Sequence, residues 1–423
     1  MAKLIILVIL YFTVPLLIIF LCKRWSIFKK IGSIAIAYAL GLILGSSGIL
    51  PRGSENYYLA LHGDPSLSKP EVTSLFSAGT ITEDDVFVNS IANIQDMMTT
   101  IAIPLAFPLL LFSFNIRKWF RYAKVGFISM LLALVSIITI IISGFFIFRY
   151  VIPEGWKVAG MLIGVYTGGT PNMASLSVAL NVDPNVFMVT NTYDIIVGAV
   201  TLIFFISAGP RVFRAFLPPF KGTGESGEHE KAAAETESFE DFSGIFKKER
   251  LIPLAGALGI SLIIAVTSAG LATLLPKDAF MPAAILLITT FAIAASLIPR
   301  VNRIEKTFQL GMYFVLVFSF TFASMANISK VFTIGNLGLL GFVMYAYFGS
   351  LVLHLLLSKI FRVNADDYLI TTTAFIYSPP FVPVIAAALK NKEVIITGIT
   401  VGIIGYIIGN YLGVGIGYFL RGF

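Results

Sequence analysis

Charged residues, cysteine and histidine are all scarce in this chain of 423 residues. Only 13% of the residues are Asp, Glu, Lys or Arg, whereas 57% are hydrophobic and the mean hydropathy is +0.89. A soluble domain carries about 25% charged residues, so this composition excludes an ordinary soluble fold. The single cysteine, Cys22, excludes an internal disulfide and a cysteine metal cluster. The three histidines are scattered, which disfavours a zinc site: His62, His229 and His354.

The sequence also lacks the short motifs of the common enzyme classes. It contains no Gly-x-Ser-x-Gly elbow, no P-loop and no His-Glu-x-x-His motif, so we do not expect an enzyme. No cofactor is expected, and Na+ is the one bound ion that the pattern leaves open. The net charge of +7 is divided among short basic clusters, and none of them is long enough for a nucleic-acid surface.

The sequence does contain many long apolar runs. A run of about 20 apolar residues is enough to cross a bilayer, and the first run ends at Lys23-Arg24, as an uncleaved first span would. We expect an all-α, multi-pass protein of the inner cell membrane. The twelve candidate spans are Leu4–Leu21, Ile31–Leu50, Ile91–Phe114, Val125–Phe148, Trp156–Leu180 (broken), Val186–Ala208, Leu251–Leu275, Met281–Ile298, Phe308–Met325, Leu337–Ile360, Tyr368–Leu389 (broken) and Val394–Phe419.

Two polar insertions organise the chain. Residues 51–90 form an acidic loop, and residues 209–250 form a mixed-charge linker with too few apolar residues for a core. The linker separates a first membrane repeat, 1–208, from a second, 251–423. The two halves share an order of features, beginning with Leu111–Lys118 in the first half and Ser324–Lys330 in the second. In each half a span, a broken span and a closing span follow. The closing span carries Asp194 in the first half and Asn410 in the second.

The most informative feature is the pair of breaks in apolar segments, Tyr166–Asn172 and Tyr377–Pro380. Glycine and proline interrupt a helix, and in lipid the freed backbone groups need protein, water or a ligand as partners. Two interrupted segments in corresponding halves indicate a secondary transporter, and we expect the breaks to cross each other near mid-membrane. A carboxylate inside a span, Asp194, costs about 2.5–3.5 kcal/mol and is typical of cation or proton sites.

The distribution of basic residues does not agree with twelve crossings. The positive-inside rule predicts that four clusters are cytoplasmic: Lys23–Lys30, Arg117–Lys124, Arg211–Arg250 and Arg300–Lys306. Alternation of twelve spans puts the first two inside and the last two outside. One crossing is therefore miscounted, and residues 150–250 are where we expect the error.

Two motifs carry a family resemblance that covers nearly the whole chain. Gly168-Gly169-Thr170-x-Asn172 with Asn191-Thr192-Tyr193-Asp194, and the closing run Gly402–Gly413, resemble domain of unknown function 819, a bacterial membrane family. That family is similar in arrangement to bile acid/sodium symporters and sodium–proton antiporters. The resemblance implies an inverted repeat with two crossing discontinuous helices in a core domain, which moves against a panel domain. Ile31–Leu50 and Met281–Ile298 are the expected panel spans. The second break, Ser378-Pro379-Pro380-Phe381, departs from the Ala/Gly-rich break of that family.

These features predict a secondary active transporter, a symporter coupled to Na+ or H+, of a small solute that could be anionic. A sodium–proton antiporter and a non-transporting membrane receptor or assembly partner are the alternatives. The expected partners are a small-molecule solute and the lipid bilayer, with a homodimer as one option and no nucleic acid. The predicted cation-binding residues are Asp194, Asn191, Thr192, Thr170, Asn172 and Asn410. The predicted substrate-binding residues are Gly168, Gly169, Thr373, Ser378, Pro379 and Pro380.

For most of these residues a structural role competes with the functional one. Asn and Thr beside a break can simply satisfy its backbone, and Ser or Thr in membrane helices often bond their own helix. Glycines in a closing span, here Gly405, Gly409 and Gly413, can serve close packing alone. His354, alone in an apolar span, is either a satisfied core donor or part of a proton relay.

Overall fold

The protein is all-helical throughout the part of the chain that the structure describes. The computed structural model describes residues 2–25, 28, 32–61, 66–113, 126–220, 241–326, 336–391 and 393–423, and no strand occurs in these ranges. Asn115–Lys118, Asn327–Lys330, Arg117–Lys124, His62 and residues 221–240 of the predicted linker, which include His229, lie outside them. The first ten helices are α1 (Ala2–Arg24), α2 (Ser33–Ser46), α3 (Glu55–Ala60), α4 (Lys69–Ser77), α5 (Glu83–Phe112), α6 (Phe127–Phe148), α7 (Gly155–Gly168), α8 (Thr170–Ala179), α9 (Pro184–Ser207) and α10 (Gly209–Phe216).

The remaining helices follow the predicted linker. They are α11 (Lys248–Ala272), α12 (Lys277–Ser296), α13 (Pro299–Asn302), α14 (Thr307–Met325), α15 (Leu337–Ile360), α16 (Ala365–Ile376), a 3-10 turn (Pro379–Phe381), α17 (Val382–Leu389) and α18 (Val394–Arg421). Among the described helices, nine are long and apolar enough to cross a membrane. Each unbroken predicted span other than Ile31–Leu50 corresponds to one of these nine, and α2 in that segment has only 14 residues.

The first broken segment is a hairpin and does not continue in one direction, which corrects its prediction as a span. Helices α7 and α8 run antiparallel, because Gly160 faces Leu180 and Gly164 faces Leu176 across the pair. At the open end, Lys157 Nζ donates to the carbonyl oxygen of Asn181 at 2.6 Å. A straight helix of this length would hold those residues about 36 Å apart, so the chain has reversed at Gly169.

The second broken segment has the same form. Asn391 Nδ2, beyond the end of α17, donates to Asp366 Oδ2 in the first turn of α16 at 2.9 Å. Arg214 of α10 joins the two ends, since its guanidinium bonds Asp366 at 2.9 Å and the Leu389 carbonyl oxygen at 3.0 Å. The two segments are therefore helical hairpins, which we call hairpin A (residues 155–181) and hairpin B (365–391). The predicted pair of crossing discontinuous helices is wrong in this respect.

The described chain forms two compact units that are discontinuous in sequence. The first unit contains residues 1–103, 183–189 and 312–334, and the second contains 104–182, 190–311 and 335–423. Both hairpins, α15 and α18 belong to the second unit. Met281–Ile298, predicted as a panel span beside Ile31–Leu50, also belongs to the second unit, because Asn410 Nδ2 of α18 donates to Thr289 Oγ1 of α12 at 3.1 Å.

In the first unit, the predicted acidic loop carries ordered structure of its own. Helices α3 and α4 pack around a small core with the start of α5, and Asp85 holds the loop by accepting hydrogen bonds from the backbone nitrogen atoms of Ser54 and Thr82. Helix α5 starts at Glu83, eight residues before the predicted span, since its first turn is acidic and acidic side chains stabilise a helix N-terminus. The core residues are Tyr57, Leu67, Ile81 and Val88.

Candidate functional site

The tips of the two hairpins meet inside the second unit. Ser378 Oγ, at the tip of hairpin B, donates to the carbonyl oxygen of Gly168, at the tip of hairpin A, at 3.2 Å. The two turning residues also share one backbone conformation: Gly169 has φ 74° and ψ −167°, and Ser378 has φ 75° and ψ 165°. The expected meeting of the two breaks is therefore observed, although as tip against tip.

Each tip is followed by proline, which fixes the start of the second half-helix. Pro171 lies in the first turn of α8, and Pro379 opens the 3-10 turn that leads into α17. Proline is well tolerated there because the backbone donor that it lacks has no helical acceptor in a first turn. The conformation at both tips is one that almost only glycine adopts freely, at a cost of about 1–3 kcal/mol for another residue. Ser378 carries that cost in hairpin B.

Close packing fixes the tip of hairpin A against α18. A Cβ atom at Gly405 would collide with the carbonyl oxygen of Thr167, so glycine lets the two backbones approach. Asn172 Nδ2 donates to the Gly405 carbonyl oxygen at 3.1 Å, and the same amide lies against Gly409. Asn172 is fully buried, and its Oδ1 atom has no hydrogen-bond partner among the described residues.

Asp194 of α9 lies beside a group of tyrosines. Tyr166 of α7, Tyr347 of α15 and Tyr377 at the end of α16 lie near the part of α9 that carries Asp194. The hydroxyl oxygens of Tyr347 and Tyr377 are 2.5 Å apart, and the Tyr377 hydroxyl donates to the Gly198 carbonyl oxygen at 2.8 Å. Tyr166 and Tyr347 pack edge to face with ring centroids 5.5 Å apart. We call these four residues the Asp194–tyrosine cluster.

Eight of the sixteen buried polar atoms that lack a hydrogen-bond partner in the described residues lie at or near the tips and this cluster. Burying a polar group without a hydrogen bond costs about 1–3 kcal/mol, so each such atom calls for an explanation such as a bound water or ion. Those eight atoms, within the described residues, are Tyr166 Oη, Asn172 Oδ1, Ser175 Oγ, Asn191 Oδ1 and Nδ2, Asp194 Oδ1, Thr371 Oγ1 and Asn410 Oδ1.

Other predicted residues have more ordinary surroundings. Thr373 Oγ1 bonds the Leu369 carbonyl oxygen of its own helix at 2.7 Å, which is the structural alternative for that residue. Asn410 bonds Thr289 and not Asp194, its expected symmetry partner. Thr170 and Thr192 are half-buried. Pro379 packs against Gly402 of α18; the side chain of Pro380 lies outside what the structure describes.

His354 fits a core position. Its ring is buried against Tyr368 with centroids 4.6 Å apart, Nδ1 lies 3.1 Å from Thr372 Oγ1, and Nε2 lies 3.4 Å from Ser129 Oγ. Both ring nitrogens thus have partners, as in a satisfied core histidine. Among the described residues, no group of three or more His, Cys, Asp or Glu could hold a metal ion.

Sequence reasoning missed the tyrosines as site residues. Tyr166 and Tyr377 border the two breaks, so the pattern contained a signal: a hydroxyl next to each tip. Tyr347 lies in the middle of an apolar span and has no local signal, because only the packing of α15 brings it to the site. A separate cavity of about 490 Å³ in the first unit contains none of the predicted residues, and its polar lining includes Arg52, Gln95 and Asn185.

Comparison with known proteins agrees with the membrane architecture. Residues 71–423 match the family described as a protein of unknown function (DUF819). The chain is also similar to the uncharacterized membrane protein YjcL of Bacillus subtilis (strain 168). The two are 25% identical over 342 residues, which cover 78% of this chain and 84% of the relative. With its many apolar helices and a family match over most of its length, this polytopic membrane protein belongs to the DUF819 family.

Proposed function

We propose that this protein is a secondary active transporter that binds a small solute at the facing tips of hairpins A and B, with cation coupling through Asp194. The observation that carries the proposal is the set of unpartnered, buried polar atoms at and around the point where two broken helices meet. A protein without a ligand there would gain stability by replacing such groups with apolar ones. Their presence supports a binding role.

In this proposal the hairpins enter the membrane from opposite sides. Helix α7 has 14 residues and α16 has 12, so they reach depths of about 21 Å and about 18 Å. Two such hairpins from opposite faces would meet near the centre of a bilayer whose hydrocarbon core is about 30 Å thick. Each tip would then separate the solute from one side, as alternating access requires.

The basic clusters support the same topology. If neither hairpin crosses, five crossings precede the linker (α1, α2, α5, α6, α9) and five follow it (α11, α12, α14, α15, α18). An odd number in each half inverts the second half relative to the first. All four basic clusters then lie on the cytoplasmic side, as the positive-inside rule requires. The miscounted crossing would be hairpin A, inside the 150–250 interval where the sequence indicated an error.

The partial charges at the hairpin tips indicate which kind of solute would bind there. The N-terminal ends of α8 and of the 3-10 turn before α17 both begin at the tips, and helix N-termini carry partial positive charge. Amide groups of Asn172 and Asn191 add neutral donors and acceptors. This combination suits a small solute with an anionic or strongly polar group.

A two-stage experiment tests the proposal. A thermal-shift screen of metabolites on the purified protein identifies a binder, and uptake of that compound into proteoliposomes follows. Accumulation against a gradient supports the transporter. Exchange of Na+ for H+ without organic flux supports a sodium–proton antiporter, and binding without any flux supports a receptor or assembly partner. Either of the last two results overturns the proposed function.

A further inference from the structure

In the Asp194–tyrosine cluster, two of the three tyrosine hydroxyls donate hydrogen bonds to other groups and the third does not. Because Tyr377 donates its proton to the Gly198 carbonyl oxygen at 2.8 Å, the 2.5 Å contact between the phenols requires Tyr347 to donate to Tyr377. Both protons therefore point away from Asp194. Tyr166, whose hydroxyl has no hydrogen-bond partner among the described residues, is the one phenol of the three whose proton is available to the carboxylate.

The hydrogen bonds at the tip of hairpin A favour a proton over sodium at Asp194. A hard cation needs several oxygen ligands at once, and two carbonyl oxygens at the tip of hairpin A already accept hydrogen bonds from within the protein. The carbonyl oxygen of Gly168 accepts from Ser378, and that of Gly169 accepts from the backbone nitrogens of Asn172 and Met173. Asp194 Oδ1 and Tyr166 Oη are both buried without a hydrogen-bond partner among the described residues, and the expected contact of Asp194 with oxygens of the Gly168–Asn172 break stays a prediction.

No cation pairs with this carboxylate in the described part of the chain. The titratable groups that face it are Tyr166 from α7, Tyr347 from α15 and Tyr377 from the end of α16. On its own helix, the neighbouring Tyr193 is mostly buried, and His354, two turns along α15 from Tyr347, is bonded elsewhere. An unpaired carboxylate in such a place costs free energy that a bound proton removes.

We propose that the coupling cation is H+ and that Asp194 carries it, with Tyr166 as its hydrogen-bonding partner in both states. When Asp194 is ionised, the Tyr166 hydroxyl donates to the carboxylate; when Asp194 is protonated, its new O–H donates to the Tyr166 oxygen. One proton is bound and released, and no other group changes charge. This inference rests on the proposed function for its meaning as coupling, although the proton site itself can be tested without transport.

Labelling with a hydrophobic carbodiimide tests the proton site without any need for flux. The reagent dicyclohexylcarbodiimide reacts with protonated carboxyl groups, and mass spectrometry of the full-length protein locates the adduct. We expect an adduct at Asp194 at acidic pH that declines by about tenfold for each pH unit above the midpoint. Replacing choline chloride by NaCl at constant pH and ionic strength should leave the labelling unchanged. The Asp194→Asn variant supplies the baseline.

Two results would overturn the inference: protection of Asp194 by Na+ at constant pH, or no adduct at any pH. Tyr166→Phe should change the midpoint pH of the labelling profile. Tyr347→Phe should not, because the Tyr347 hydroxyl donates its proton to Tyr377 and not to Asp194. Equal midpoints in wild type and Tyr166→Phe would also count against it. Melting curves establish that each variant is folded. A protein that transports nothing can still show this proton site, so failure of the proposed function remains distinguishable from failure of this inference.

Discussion

At the residue scale, Gly169 is the position where conformation and space both exclude a side chain. Its φ is 74°, and a Cβ atom there would collide with Ser378 Oγ. We predict that Gly169→Ala lowers the free energy of unfolding by about 1–3 kcal/mol, measured as a lower melting temperature in detergent. Gly256→Ala is the matched control, because a Cβ at that helical glycine meets nothing within 4 Å. Equal melting of Gly169→Ala and wild type would contradict the assigned tip geometry.

Ser378 provides a second test at the same scale. Its positive φ of 75° is unfavourable for serine, while its hydroxyl bonds the Gly168 carbonyl oxygen. Ser378→Ala loses the bond and keeps the backbone cost, whereas Ser378→Gly loses the bond and relieves the cost. We therefore expect the glycine variant to be more stable than the alanine variant by about 1 kcal/mol or more, measured by thermal unfolding. The reverse order would show that the backbone at residue 378 is not strained.

At the scale of elements, a polar clamp closes the base of hairpin B. Asp366 is 2% exposed, and its partner Arg214 is 44% exposed. Arg214→Ala leaves a buried carboxylate without its cation and releases the Leu389 carbonyl oxygen. We expect it to cost about 2–3 kcal/mol of stability, since one partner is partly solvated. Arg211→Ala, on the exposed side of the same short helix, should change stability by less than about 0.5 kcal/mol.

A double variant separates the ion pair from simple packing in this clamp. In Arg214→Ala/Asp366→Asn the uncompensated charge is gone, so part of the lost melting temperature should return. If the double variant is no more stable than Arg214→Ala alone, the charge on Asp366 is not the source of the cost. Hairpin A has a related arrangement, in which Lys157 binds both Glu154 and the Asn181 carbonyl oxygen.

The elements also show where sequence reasoning succeeds and stops. Unbroken spans such as Leu337–Ile360 were predictable because a long apolar run has one structural solution in a membrane. The breaks at Gly168–Asn172 and Ser378–Phe381 were equally visible. Hydropathy cannot tell a broken span from two antiparallel half-length helices, since both contain about 25 apolar residues. The reversal is decided by a turning residue with positive φ and by long-range contacts such as Asn391 to Asp366.

The same limit applies to the candidate site. The burial of Asn172 and its contact with α18 follow from features that the sequence displays: a break and a glycine-rich closing span. The position of Asp194 relative to Tyr347 depends on how α9 and α15 pack, which no local pattern encodes. Asn410, predicted by analogy between the halves, bonds Thr289 on α12 instead.

At the scale of the whole molecule, the proposed topology makes a prediction about accessibility. In a Cys22→Ser background, single cysteines replace Ser74 and Tyr150 in segments proposed to be extracellular, and Ser243 in a segment proposed to be cytoplasmic. A membrane-impermeant maleimide should label positions 74 and 150 in intact cells, and position 243 only after permeabilisation. If positions 150 and 243 are labelled from the same side, hairpin A crosses the membrane and the inverted arrangement is wrong.

The measurement that bears most directly on the central claim is solute uptake by proteoliposomes with a change at the hairpin tips. Wild type, Asn172→Ala and the control Arg211→Ala are reconstituted with the solute found by thermal shift, under an imposed pH gradient. We predict accumulation by wild type and Arg211→Ala, and at least a tenfold loss of rate in folded Asn172→Ala, equivalent to about 1.4 kcal/mol. Full uptake by Asn172→Ala, or no uptake by wild type of a solute that it binds, would contradict the claim that the meeting hairpin tips form a transport site.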